Sequence, residues 1–203
     1  VNIREIILEF YRPGTRLYDI FMDHAGAVTA RALDVAERLP HLSPNLAFIK
    51  QAAMLHDIGI ALTRAKRLRC HGDAPYVCHG VLGRKLLDDR GYHRHGLVCE
   101  RHVGVGISKT DIRRQKLPLP LRDMRPISIE EQIICYADKF YSKNGNNRPK
   151  SIRAILDTLS SYGPDKGETF LAWAGRFEPS ILEPVSNYPS AGKKRITSPP
   201  CQK

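Results

Sequence analysis

The stretch Ser43–Gly59, SPNLAFIKQAAMLHDIG, decides how the chain is read. Leu46, Ile49, Ala53 and Leu55 recur at helical spacing, so a helix with one apolar face is expected here. Ser43 is the expected N-cap, with Pro44 at the first helical position, and Gly59 is expected to end the helix in the left-handed conformation. The pair His56-Asp57 then stands at the helix end. Inside a helix, neighbours point about 100° apart and do not address one ion. A backbone that turns at a following glycine lets both side chains reach a common centre.

Working outward, Ile20, His24, Val28 and Ala32 repeat every fourth position in Leu17–Leu39, and Arg31, Asp34 and Arg38 mark the opposite face until Pro40 stops the helix. Downstream, Arg64–Val77 is basic and without period, so a loop facing substrate is expected. Val81, Leu82, Leu86 and Leu87 describe a short helix closed by Gly91, and Gly96–Val103 another. Residues 104–127 carry proline, glycine and basic residues and read as a surface excursion. Ser128 with Glu131 matches an S-x-x-E capping box, followed by Ile129, Ile133, Ile134, Ala137 and Tyr141 at helical spacing. Ser151–Leu159 and Lys166–Phe177 are amphipathic, the latter with Phe170, Trp173 and Phe177 on one face. These segments predict an all-α helical bundle over residues 1–184, with one short hairpin as the main exception. Residues 185–203, poor in apolar anchors, read as a loose basic tail.

Composition narrows the class. With 203 residues, 42% hydrophobic and 26% charged, the chain has the make-up of one globular domain. It has no uninterrupted apolar run near the roughly 18 residues of a membrane span. Its five cysteines (Cys70, Cys78, Cys99, Cys135, Cys201) form no C-x-x-C pair, which argues for a reduced, cytoplasmic protein without a disulfide framework or zinc ribbon. The net charge of +11 is uneven: residues 1–63 hold 6 Lys/Arg against 7 Asp/Glu, and residues 64–203 hold 26 against 14. Such a field attracts anions, whether phosphate esters, nucleic acid or an acidic membrane surface, and charge alone does not choose among them.

The groups that carry chemistry are His24, His56-Asp57, His79, His102 and Asp138, each in a different predicted helix or helix end and beside buried-type residues. Burying them together costs several kcal/mol unless a cation compensates all of them. Imidazole and carboxylate suit first-row transition metals. His24, His56, Asp57 and Asp138 suffice for one ion. Adding His79 and His102 points to two, with Asp57 as the natural bridge between ions roughly 3.5–4 Å apart. His71 is near enough in sequence to compete with His79, whereas His41, His93 and His95 read as surface residues.

The ordered pattern H, HD, H, H, D resembles the HD-domain phosphohydrolase superfamily, in particular its HDIG branch. The resemblance spans approximately residues 15–145. It is carried by DHAGAVTARALDVAERL around His24, AAMLHDIG around His56-Asp57, CHGVLGRKLL around His79, VCERHVGVGIS around His102 and EEQIICYADKFYSK around Asp138. It implies an all-α fold, with His24, His56, Asp57 and Asp138 as the common ligand set and His79 and His102 as the additions where two ions bind. It also implies hydrolysis of phosphate mono- or diesters, often of nucleotides. Many relatives carry Lys or Arg directly after the glycine of HDIG, where this chain has Ile60. Arg64, Lys66 and Arg67, with Lys139, are therefore the expected phosphate-binding cations.

The expected chemistry is attack of metal-bound hydroxide on phosphorus, with Asp57 and His56 at the catalytic centre. Two divalent or trivalent ions are expected, and Fe, Mn, Co, Ni and Zn are not distinguishable. The partner is a phosphorylated small molecule, a nucleotide by preference, with nucleic acid as a further option and no membrane. The competing reading is a non-catalytic nucleic-acid-binding or regulatory module using Arg64–Arg69 and Arg113–Arg125. Aromatics do not interleave with those clusters as a stacking platform requires, which places it second.

Overall fold

The computed structural model describes residues 2–143 and 148–182, so the expected tail at 185–203 lies outside the described residues. The described chain is helical: α1 (Ile3–Phe10), α2 (Arg16–Glu37), α3 (Leu46–Leu55), α4 (His79–Asp88), α5 (His93–Arg101), α6 (Lys109–Gln115), α7 (Ile129–Asp138), α8 (Ile152–Ser160) and α9 (Pro164–Phe177). Side chains of Asn2, Thr15, Asn45, Ser108, Ser128 and Ser151 each accept a backbone N–H of the first turn that follows them. These contacts satisfy donors that a helix start otherwise leaves orphaned.

Several starts and stops differ from expectation. Asn45, not Ser43, caps α3, accepting from the Phe48 N–H at 2.9 Å. Ser43 instead ends a 3-10 turn at Pro40–Leu42 in the left-handed region. Gly59 lies in a second 3-10 turn, Ile58–Leu62, and is absent from the positive-φ residues. It is required for another reason: a Cβ there would sit 2.2 Å from the His79 carbonyl oxygen, because α4 runs directly over this turn. The 104–127 excursion contains α6, opened by a capping box in which Ser108 and Asp111 bond reciprocally. At Ser128 only half the box forms; Glu131 turns to the Ile127 N–H and to Arg101.

The basic stretch after Leu62 folds into three short strands, β1 (Thr63–Ala65), β2 (Cys70–His71) and β3 (Ala74–Pro75), in the order β2-β1-β3. β1 pairs antiparallel with β2, Arg64 opposite His71, and parallel with β3.

Two apolar clusters hold the helices. One gathers Val28, Ala32, Ile49, Ile133, Ile134, Ile155, Phe170 and Phe177; the other gathers Ile7, Tyr11, Phe21, Ala25, Leu55, Ile58 and Leu87. Each fully buried side chain of this size contributes about 1.5–3 kcal/mol. His24 lies on α2 between Phe21 and Ala25 of the second cluster and Val28 of the first, at their junction. Glu178 ties the chain after α9 back to α2, pairing with Arg31 and Arg38 and accepting from the Tyr136 hydroxyl at 2.9 Å.

Candidate metal centre

Five helical elements deliver the six groups. His24 is mid-α2, His56 caps the C-terminus of α3 with Asp57 next, His79 opens α4, His102 caps the C-terminus of α5, and Asp138 ends α7. Three of these positions are helix C-termini, whose carbonyl ends favour positive charge. All six residues are buried, none more than 7% exposed.

They converge. His24 Nε2 lies 3.3 Å from His56 Nε2, and these two nitrogens lie 3.1 and 3.2 Å from Asp57 Oδ2. His24 Nε2 is also 3.0 Å from Asp138 Oδ1. On the other side, His79 Nε2 and His102 Nε2 are 3.2 Å apart and stand 3.4 and 3.2 Å from Asp57 Oδ1. Asp57 thus presents one oxygen to each pair. Two donor groups share it: His24, His56, Asp57 and Asp138, and Asp57, His79 and His102.

The protonation pattern is set by the backbone. His56 Nδ1 is 2.6 Å from the Ala53 carbonyl, His79 Nδ1 is 2.7 Å from Tyr76 O, and His102 Nδ1 is 2.8 Å from Cys99 O. A carbonyl only accepts, so each Nδ1 carries the proton and each Nε2 turns a lone pair inward. At the His79–His102 pair, lone pairs 3.2 Å apart repel, as do lone pairs facing a carboxylate. His24 Nδ1 is, moreover, buried without a hydrogen bond, and among the described residues Asp57 Oδ1 faces only the His79 and His102 nitrogens. A cation on each side of Asp57 resolves these conflicts, so the donor set fits metal.

Charges around the centre keep the acids ionised. Burial would raise the Asp57 carboxyl, but Lys143 and His56, with His102 and His24 close by, hold it well below its usual range. Asp138 is likewise held down against burial by Lys139 and Lys143. Burial pushes His79 down to about 3, beyond what Asp57 restores, so it stays neutral as a ligand must. His56 is the exception: burial lowers it, but Asp57 and Asp138 outweigh burial and raise it to about 9, so a cation there would displace its Nε2 proton.

The structure separates the other expected residues. His71 is exposed on β2, away from the cluster that contains His79. Arg64, Lys66 and Arg67 are exposed, and Arg64 faces Asp73 at 3.7 Å. They do not line the cavity of about 560 Å³ that opens onto His79, His102 and Asp138, whereas Lys139 does. β1 and the 3-10 turn Lys66–Leu68 that follows it leave those three cations on the surface. Lys139 Nζ sits 2.7 Å from Asp138 and 3.1 Å from the His102 carbonyl. His41 and His93 are exposed, but His95 is not: it packs edge-on against Phe48 at 4.9 Å and meets Gln51 at 3.2 Å.

Two residues were missed. Lys143 Nζ lies 2.8 Å from Asp57 Oδ2. Its only signal in the sequence is a lysine five positions beyond Asp138. Tyr11 is fully buried, stacked on Phe21 at 4.0 Å, and its hydroxyl reaches the Asp57 and Ile58 carbonyls and the Ala61 N–H, each at 3.2 Å. It anchors the turn that carries Asp57, and nothing in its local sequence announces this.

A family model, the HD domain, matches residues 21–142, a span that holds all six groups. The chain belongs to the HD-domain family. An uncharacterized protein of Methanocaldococcus jannaschii is 30% identical over 154 residues, covering 66% of this HD-domain chain and 83% of the relative. Two proteins named tRNA (cytidine(56)-2'-O)-methyltransferase also match. The one from Picrophilus torridus is 32% identical over 68% of this chain, and the one from Thermoplasma volcanium is 26% identical over 81%. The chain spans only 36% and 43% of those two proteins. No solved structure matches the chain. No helix among the described residues is long and apolar enough to cross a membrane.

Proposed function

We propose that this HD domain is a metal-dependent phosphohydrolase that cleaves a phosphate ester of a small molecule, a nucleotide being the class the resemblance favours. The observation that carries this reading is the shared carboxylate: Asp57 offers one oxygen to the His24–His56–Asp138 side and the other to the His79–His102 side. His24, His56, Asp57 and Asp138 would hold one ion and Asp57, His79 and His102 a second. When bound, such ions lower the pKa of water toward 7 and offset charge on phosphate oxygens.

The protein's own part is preorganisation. The carbonyls of Ala53, Tyr76 and Cys99 hold three imidazoles in one tautomer, so little reorganisation is left for the moment of reaction. Lys139 offsets Asp138 and helps keep the site attractive to anions. Lys143, whose ammonium is kept charged by Asp57 against burial, adds positive charge where the cavity meets the centre. Burial pushes the Tyr76 hydroxyl up to about 12, so it stays protonated as a donor into the same cavity. A cytoplasmic setting agrees with the free thiols of Cys70, Cys78, Cys99 and Cys135.

The test is direct. Protein purified without chelator is analysed for metal per chain, then assayed on p-nitrophenyl phosphate and bis-p-nitrophenyl phosphate with and without Mn²⁺. Hydrolysis that follows metal content supports the reading. Less than about 0.2 equivalents after reconstitution, with no hydrolysis, overturns it. A second reading, RNA binding without catalysis, draws on the names of the two methyltransferase relatives and on the basic excess after residue 63. Metal-independent binding of tRNA at physiological salt by an inactive protein would favour it.

A further inference from the structure

The cavity is lined by four lysines, and three of them are answered. Lys139 pairs with Asp138 at 2.7 Å, Lys166 with Asp111 at 2.6 Å and the Gly106 carbonyl at 3.1 Å, and Lys143 with Asp57 at 2.8 Å. Lys150 lines the same cavity half-buried, and among the described residues its ammonium has no ion pair and no hydrogen bond. Its place is nevertheless defined, because its N–H donates to the Phe140 carbonyl at 2.7 Å, two residues beyond Asp138. Burial and the charges of Lys139 and Lys143 push its pKa down against the pull of Asp138. An ammonium left in that position lacks an anion.

Resting on the hydrolytic reading above, we infer that Lys150 and Lys143 form a recognition site for the terminal phosphate of a phosphomonoester, and that the enzyme thereby prefers monoesters to diesters. A monoester brings three terminal oxygens and close to two negative charges near neutrality; a diester brings two free oxygens and one charge. Ions on Asp57 would take over the carboxylate that now faces Lys143. The cavity would then hold two cationic side chains without acidic partners, beside a charged centre that still attracts anions. The second charge and third oxygen of a monoester supply what they lack. A diester puts an organic substituent there instead.

Inorganic phosphate and dimethyl phosphate probe this without turnover. Both are titrated calorimetrically into manganese-loaded wild type, Lys150→Met, Lys150→Arg and the control Lys50→Met, an exposed lysine of α3 outside the cavity. Expected is a phosphate Kd about tenfold weaker in Lys150→Met, with dimethyl phosphate changed less than about twofold. Lys150→Arg should keep phosphate affinity and Lys50→Met should match wild type. The monoester-to-diester ratio of kcat/KM should fall by the same factor in Lys150→Met. Equal weakening of both ligands, no weakening, or loss of bound manganese in Lys150→Met would each overturn the inference. Phosphate binding that depends on Lys150 in a protein that hydrolyses nothing would sink the hydrolytic reading and leave the anion site standing. Hydrolysis indifferent to Lys150 would do the reverse.

Discussion

Gly59→Ala tests how tightly the fold and the metal centre are coupled. The new methyl would meet the His79 carbonyl oxygen at 2.2 Å and the Gly83 nitrogen at 2.4 Å, both backbone atoms of α4. A carbon–oxygen contact needs about 3.3 Å, so α4 must retreat by about 1 Å. Gly→Ala at an unstrained position stabilises by about 0.4–1 kcal/mol through the unfolded chain. Overpacking against backbone costs about 1–3 kcal/mol, so destabilisation wins. For a chain of this size each kcal/mol moves Tm by roughly 2–4 °C. The same retreat carries His79 away from Asp57, from which its Nε2 is only 3.4 Å distant. His24, His56 and Asp138 lie on other elements and stay. The expected result is a Tm lower by several degrees and a metal content below that of wild type, measured by thermal unfolding and elemental analysis of the same sample. Wild-type Tm with unchanged metal content would refute the reasoning, because α4 would then have absorbed the methyl without moving His79.

Three further outcomes are expected. His79→Ala should lose metal and activity together while His71→Ala leaves both within about twofold, as elemental analysis with a hydrolysis assay will show; the reverse order would exchange their roles. Lys166→Met leaves Asp111 with Arg114 and Ser108 but without its ammonium and should cost about 1–3 kcal/mol in urea unfolding. Although burial alone would raise it, Asp111 is held down to about 2 by Lys166 and Ser108. Its pairing therefore stabilises above the unfolded value of about 3.9 and fades as pH falls toward 2, so the gap between wild type and variant should narrow over that window. Tyr11→Phe removes the hydroxyl from three backbone groups beside Asp57. It should cost about 1–3 kcal/mol and weaken metal retention against a chelating dye; unchanged values for both would show that the turn holds without it.

The helices with one apolar face were legible because their burial is one-sided: Ile20, His24, Val28 and Ala32 stack on α2 as their spacing demands, and all are buried. The six donors were legible for a related reason, since ionisable groups set among core residues need a partner. What escaped reading depends on neighbours far away in sequence. His95 looks solvent-facing in RGYHRHG until Phe48 and Tyr92 enclose it. Charge gave the sign of the cavity but not its walls, so Arg64, Lys66 and Arg67 were expected where Lys143 and Lys150 stand. The SKTD signature of α6 was present at Ser108–Asp111 but hidden among prolines and glycines whose local preference is for turns.

The seam between α4 and α5 has a wider meaning. A Cβ on Gly80 would lie 2.6 Å from the Cys99 carbonyl oxygen, and one on Gly83 would lie 3.1 Å from the Cys99 side chain. The two helices interlock at a spacing that admits no side chain, and one begins with His79 while the other ends at His102. Two of the six groups therefore travel together, as a cartridge clipped to Asp57. Bulkier residues along that seam should displace His79 and His102 together from Asp57, while His24, His56 and Asp138 on other helices stay in place.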